Sequence, residues 1–190
     1  MHAKRMTTQD KIRRAALKRF ASQGFDGTAM SEIAKDVGIK TPGLYAHFAG
    51  KTELFLDLVS LVIEQELSYT QQFLNEPGTP EKRLSAFLRE TGRRFESSPQ
   101  LRFILNAAYV PPRSIEKKIA KSMQGYFDGI EQIVQNVFKN LPPSRMTSRQ
   151  LAAAYIGIID SLQAELLYGG HEKFQKRLDA MWALFCLAIK

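Results

Sequence analysis

The sequence predicts an all-α chain of about nine helices, and three observations carry that expectation. Glycine and proline divide its 190 residues into helix-length pieces. Within the pieces apolar residues recur every three or four positions, and no piece sustains the two-residue alternation of a strand. A hydrophobic fraction of 44% supplies enough apolar surface for a core without a metal or disulfide staple. The single cysteine, Cys186, excludes an internal bridge and a multi-cysteine metal site.

The first helix starts at Thr7 or Thr8 as cap, carries Ile12, Ala16 and Phe20 on its inner face and ends near Gln23 and Gly24. Asp26-Gly27 is a turn. Thr28 is placed to cap a short second helix through Val37, which Gly38 stops. Thr41 then Pro42 reads as cap and first helical residue, opening a third helix over about 42–48. From Lys51 to about Asn75, Leu54, Phe55, Leu58, Leu61, Val62 and Phe73 mark a long fourth helix, stopped by Glu76-Pro77-Gly78-Thr79-Pro80. A fifth runs from Pro80 through Leu84, Phe87, Leu88 and Phe95 to the Ser97-Ser98-Pro99 break, and a sixth covers Gln100–Tyr109. After Pro111-Pro112 the row Ile115, Ile119, Met123, Phe127, Ile130, Val134, Val137, Phe138 predicts a seventh, ended by Leu141-Pro142-Pro143. Thr147 or Ser148 opens an eighth, with Gly169-Gly170 as its stop, and a ninth runs from about Glu172 to Ile189.

Charge is placed unevenly. The chain carries a net charge of +8, and residues 1–51 alone hold ten Lys/Arg against four Asp/Glu. Such a balance favours a polyanionic partner for the N-terminal quarter, the plainer alternative being a solubilising basic face. Met6 to Arg14 is polar where a secretory signal needs an apolar stretch, and no window offers about 18 uninterrupted apolar residues. The expectation is a soluble, cytoplasmic protein with no membrane partner.

Residues 28–51, TAMSEIAKDVGIKTPGLYAHFAGK, place two short helices either side of Gly38-Ile39-Lys40. Two helices joined by a short glycine-containing turn form a helix-turn-helix, whose second helix enters the DNA major groove. The tight crossing explains the residue types: Ile33 and Val37 face inward, Ala34 is small where the helices cross, Gly38 adopts positive φ and Ile39 plugs the turn. Leu44 and Phe48 share the inner face of the second helix. Thr41, Pro42, Gly43, Tyr45 and His47 are left for the outside, although Tyr45 could pack its ring at the domain edge and His47 could be an ordinary surface histidine.

Gly24-Phe25, Thr28, Glu32-Ile33-Ala34, Val37-Gly38-Ile39, Leu44-Tyr45-x-His47-Phe48 and Lys51 together resemble the DNA-binding domain of TetR-family transcriptional regulators, over roughly residues 8–56. The resemblance implies an N-terminal three-helix DNA-binding domain (residues 1–53) followed by a larger helical domain for effector binding and dimerisation (residues 54–190). It implies that Thr28, Tyr45, His47 and Lys51 meet the phosphate backbone and that Lys40, Thr41, Pro42 and Gly43 read base edges. Gly43 departs from the family, which usually has a side chain there, and Ala46 is small where aromatic residues are common. Lys51 stands at a helix start, where the dipole disfavours a cation unless an anion is near. Lys4 and Arg5 offer further backbone or minor-groove contacts, or a frayed tail.

The ninth helix is apolar around most of its wheel over 180–189, so it needs cover on more than one side. Either it is the central core helix of the monomer, or a second protomer supplies the cover through Tyr155, Ile159, Leu162, Leu166, Leu178, Met181, Trp182 and Phe185. Phe87, Phe103, Tyr109, Met123, Phe127, Glu165 and Tyr168, with Phe95 and Gln163, are the candidates for contact with a small hydrophobic or aromatic effector, most of them equally suited to plain core. The function expected is a homodimeric, ligand-responsive repressor on a palindromic operator in double-stranded DNA, with no cofactor or metal. Repression is the family's common mode. The rival readings are a sequence-indifferent basic DNA-binding protein and a membrane-surface helical protein. An enzyme is poorly supported: His2, His47 and His171 are scattered, and neither a glycine-rich phosphate loop nor an HExxH motif appears.

Overall fold

A computed structural model of the chain describes residues 6–139 and 146–189. Lys4 and Arg5, and the stop at Leu141-Pro142-Pro143, lie outside the described residues. Every regular element among the described residues is helical: α1 Thr8–Gln23, α2 Met30–Val37, α3 Thr41–Tyr45, α4 Lys51–Leu74, α5 Pro80–Ser97, α6 Pro99–Tyr109, a 3-10 turn Arg113–Ile115 leading into α7 Glu116–Phe138, α8 Ser148–Ala164, a π-helical turn Glu165–Gly169, and α9 Gly170–Ala188.

Local chemistry explains most of the boundaries. Thr7 and Asp10 form a capping box at the start of α1, and Thr147 and Gln150 form another at α8. Thr79 Oγ1 accepts the Lys82 N–H at the start of α5. Gly38, at φ 76°, ends α2: its N–H donates to the Lys35 carbonyl and the Ile39 N–H to the Ala34 carbonyl, the two bonds of a Schellman closure.

Four expectations are corrected. Thr28 does not cap α2. It is 2% exposed and its hydroxyl donates backward to the Gly24 carbonyl at 2.8 Å, a bond that competes with capping for the same side chain. The Ala29 N–H is instead met by Glu32 Oε2 at 3.3 Å. Lys40 rather than Thr41 flanks α3, because the Lys40 carbonyl already accepts the Gly43 N–H at 2.9 Å. α3 ends at Tyr45, and the Leu44 carbonyl then takes the N–H groups of both His47 and Phe48, which tightens the chain into a turn. In α7 the buried row passes through Tyr126, 3% exposed, while Phe127 is half-buried, because steps of four, three and four keep one face inward better than a run of fours.

The chain packs as two units, Met1–Ile63 with Pro99–Ser122, and Glu64–Ser98 with Met123–Lys190. In the first, Ile12, Ala16 and Phe20 of α1, Ile33 and Ala34 of α2, and Leu44 and Phe48 are buried, as are Leu54, Phe55 and Leu58 of α4. Phe20, Phe25, Phe55 and Phe103 form a ring cluster, with Phe55 edge-on to Phe20 and to Phe103 at 5.0 Å. In the second, Tyr155 is fully buried and donates its hydroxyl to the Leu84 carbonyl at 2.7 Å, and a Cβ at Gly92 would stand 2.6 Å from the Phe174 ring, so the ring of Phe174 on α9 lies against α5 where residue 92 has no side chain.

Candidate nucleic-acid interface

The helix-turn-helix folds as its spacing requires and presents a polar outer face. Leu44 and Phe48 are buried at 0% and 3%. Lys40, Pro42, Gly43, Tyr45, Ala46 and His47 are exposed, Tyr45 to 50%, and Thr41 is half-buried. A Cβ on Gly43 would meet nothing within 4 Å. No packing demand makes residue 43 a glycine, and without a Cβ the α3 backbone is left open there.

Two of the four residues expected at phosphates have partners inside the chain. Thr28 spends its one hydroxyl hydrogen on Gly24. Lys51, half-buried, donates from Nζ to the carbonyls of Phe25 at 2.8 Å and Thr28 at 3.0 Å, and lies 4.5 Å from the centroid of the Phe25 ring. Tyr45 and His47 remain open to solvent.

Ion pairs that the sequence alone did not reveal brace the motif. Arg13 on α1 forms a two-pronged bond with Asp57 on α4, both contacts at 2.8 Å, and those hydrogen bonds hold its guanidinium more firmly protonated than usual. Arg19 grips Asp36 through Nε and Nη2 and reaches Glu32 at 3.1 Å; its hydrogen bonds hold the Asp36 carboxyl below the usual carboxylate range. Arg13 and Arg19 are therefore tied into ion pairs and Lys51 uses two of its three donors within the chain, whereas Lys11, Arg14, Lys18, Lys35 and Lys40 are exposed. Lys11, Arg14 and Lys18 rim an open groove with Met6, Ala15 and Val37.

The effector candidates divide between the units. Phe103, 1% exposed, and half-buried Tyr109 belong to the first, where Phe103 is a member of the ring cluster. In the second, Phe87 is 7% exposed and packs edge-on to Phe73, Met123 and Gln163 are buried, and Phe95 and Phe127 are half-buried. Glu165 is tied to Arg177, which also donates to Ser161 Oγ at 2.8 Å. Tyr168 is 71% exposed, because it leaves the π-helical turn on the solvent side.

A polar cluster in the second unit escaped the sequence reading. Glu66, 4% exposed, receives both prongs of Arg94 at 2.6 and 2.8 Å; the guanidinium lies 3.8 Å from the Tyr69 ring centroid, and the Tyr69 hydroxyl donates to Glu90. Burial pushes the Tyr69 phenol up to about 12. Its signal was present: Glu66 stands four residues after Val62, a carboxylate where the periodicity asks for an apolar side chain.

The interface expected of α8 and α9 is also corrected. Tyr155, Ile159, Leu162, Leu166, Leu178 and Phe185 are all 9% exposed or less within a single chain, and Met181 and Trp182 are half-buried. The first six face their own unit's core. The outer faces carry Ala153, Ala154 and Gly157 on α8 and Ala180, Ala183, Leu184 and Leu187 on α9, with the two leucines 69% and 72% exposed.

Residues 12–58 match the sequence model described as bacterial regulatory proteins, tetR family. The HTH-type transcriptional regulator AcrR of Shigella flexneri is 27% identical over 170 residues, covering 85% of this chain and 79% of its own. E. coli NemR in its reduced form superposes with a TM-score of 0.77 at 13% identity, covering 97% of this chain and 98% of that one. AibR in complex with isovaleryl coenzyme A and operator DNA does so at 0.64 and 17% identity, covering 94% and 97%.

Proposed function

We propose that the chain is a TetR-family bacterial regulatory protein, a DNA-binding regulator rather than an enzyme, and that it is a repressor that grips a palindromic operator as a homodimer and is released by a small effector. The observation that carries the reading is the outer face of the helix-turn-helix, where Lys40, Pro42, Gly43 and Tyr45 stand exposed at the start of a helix whose other face is sealed by Leu44 and Phe48. Lys40 and Thr41 have the chemistry to read base edges, Gly43 admits close approach, and Tyr45 and His47 suit phosphate contact. Residues 1–53 serve as the DNA-binding domain and 54–190 as the effector and dimerisation domain.

The dimer is supported by Leu184 and Leu187 with the small residues beside them, which make a self-complementary apolar surface when two α8–α9 pairs meet about a two-fold axis. Two recognition helices must then lie about 34–36 Å apart to enter successive major grooves. The effector would be hydrophobic or aromatic, and a ligand such as the acyl-coenzyme A bound by AibR is one chemistry to try. It acts only to the extent that its affinity differs between the DNA-competent and the released state.

Selection of genomic fragments bound by the full chain tests the reading. The expected result is one enriched inverted repeat with half-sites a helical turn or a multiple apart. Fragments recovered without a shared site would favour the sequence-indifferent DNA-binding protein.

A further inference from the structure

The N-terminal turn of α4 is a poor place for a cation, since the helix dipole is positive there. Lys51 occupies it and meets its requirement for negative partners inside the chain, through the carbonyl oxygens of Phe25 and Thr28 and the face of the Phe25 ring. An ammonium has three N–H donors, and two are spent here. The segment it holds is also tied by the Thr28 hydroxyl to the Gly24 carbonyl at 2.8 Å and by the Phe25 ring against Phe20 and Phe55. Of these, none links the Phe25 and Thr28 carbonyls to α4: the backbone bonds run from the Gly24 N–H to the Phe20 carbonyl at 3.1 Å and from the Thr28 N–H to the Phe25 carbonyl at 3.4 Å, and the Ala29 N–H is met by Glu32 within α2.

We infer that Lys51 is a positioning residue: its ammonium pins the Phe25–Thr28 turn to the start of α4, and so sets where α2, and α3 packed on it, are presented to DNA. This rests on the DNA-binding reading of the module, and it replaces a direct phosphate contact by Lys51. It also gives α4 a handle on the motif. A shift at the start of α4 carries the beginning of α2 with it, because the two bonds and the ring contact converge on one atom. Arg13 and Asp57 join α1 to the same helix two turns further on.

The test compares Lys51→Met and Lys51→Arg with the natural chain at full length, at a temperature where melting curves show each folded. Affinity for the selected operator is measured over a salt series, and amide exchange over residues 24–30 is measured without DNA. Pinning requires that Lys51→Met bind at least about tenfold more weakly with an unchanged slope of log affinity against log salt, exchange faster at Phe25 to Met30, and be largely restored by Lys51→Arg, which can still donate to two carbonyls. A slope shallower by about 0.9, the signature of one lost phosphate contact, or amide exchange that does not change, overturns it. Should Lys51→Met fail to fold, the nitrogen resonance of the natural Lys51 ammonium decides. Slow proton exchange in the free protein, unmoved by operator, supports pinning; fast exchange that slows only on DNA contradicts it. If no operator can be selected, the DNA-binding reading fails, while the exchange measurements on the free chain still judge the clamp.

Discussion

The helix-turn-helix and the α8–α9 pair both carry apolar rows at helical spacing, and they use them differently. In α1, α2 and α3 each helix has one such row, Ile12-Ala16-Phe20, Ile33-Ala34 or Leu44, and that row is buried. The opposite face is polar and open. In α8 and α9 there are two apolar faces, an inner one with Tyr155, Leu162, Leu178 and Phe185 and an outer one with Ala153, Gly157, Leu184 and Leu187. A single row leaves no doubt about which side is inside. Two rows name the helices that need cover without saying which row faces the chain's own core.

The largest expected effect separates those two faces. Phe185→Asp or Leu162→Asp should cost more than about 4 kcal/mol, since it loses core packing and buries a charge, and should abolish the helical circular dichroism signal at moderate temperature. Leu184→Asp should keep that signal and sediment as a monomer. A folded Phe185→Asp, or a Leu184→Asp chain that stays paired, would reverse the assignment of faces. Next comes the contrast between ion pairs in the two regions. Arg94→Met strands the buried Glu66 carboxylate and should lower unfolding stability by about 3–5 kcal/mol in denaturant titrations. Arg19→Met frees carboxylates that water can solvate and should shift the same curve little.

Smaller effects test the outer face of the motif. Lys40→Ala or Thr41→Ala should change discrimination among operator variants by about 1–3 kcal/mol, while Tyr45→Phe should weaken all DNA sequences about equally. Gly43→Ala should fold normally, there being open space for its Cβ, and change operator affinity only. Equal behaviour of these variants across sequences would mean that the start of α3 is not the reading surface. The smallest effect is alkaline. Burial raises the Tyr69 phenol from 10.0 to about 12, so its contribution to stability is present below pH 10 and lost as pH rises toward 12. Tyr69→Phe should flatten the stability profile in that window.

What was legible in the sequence was what is decided locally or by a tight motif. The caps of α1 and α8 could be narrowed to Thr7 or Thr8 and to Thr147 or Ser148 because the bond a cap accepts lies three residues away, and the structure selects Thr7 and Thr147. Gly38 could be assigned because few other residues adopt φ 76° without strain. Thr28 was misread on the same local scale, since a threonine hydroxyl can turn back to a carbonyl as readily as cap the next helix. The pairs Arg13–Asp57 and Glu66–Arg94 lie 44 and 28 residues apart, and nothing short of the fold brings them together. For that reason Arg13 and Arg19, counted among the basic residues of the first 51, were not recognised as the partners of Asp57 and Asp36. At Lys51 the dipole argument pointed to a phosphate, whereas the partners within the chain are the carbonyl oxygens of Phe25 and Thr28, which the sequence reading did not consider.

The most direct measurement is the affinity of the full chain for its selected operator compared with the same fragment carrying one scrambled half-site, at one fixed salt concentration. Two outward-facing α3 helices acting as a pair require the scrambled fragment to bind at least about a hundredfold more weakly, because one set of base contacts, each good pair worth about 1–3 kcal/mol, is lost. Equal affinity for the two fragments would contradict paired reading by α3.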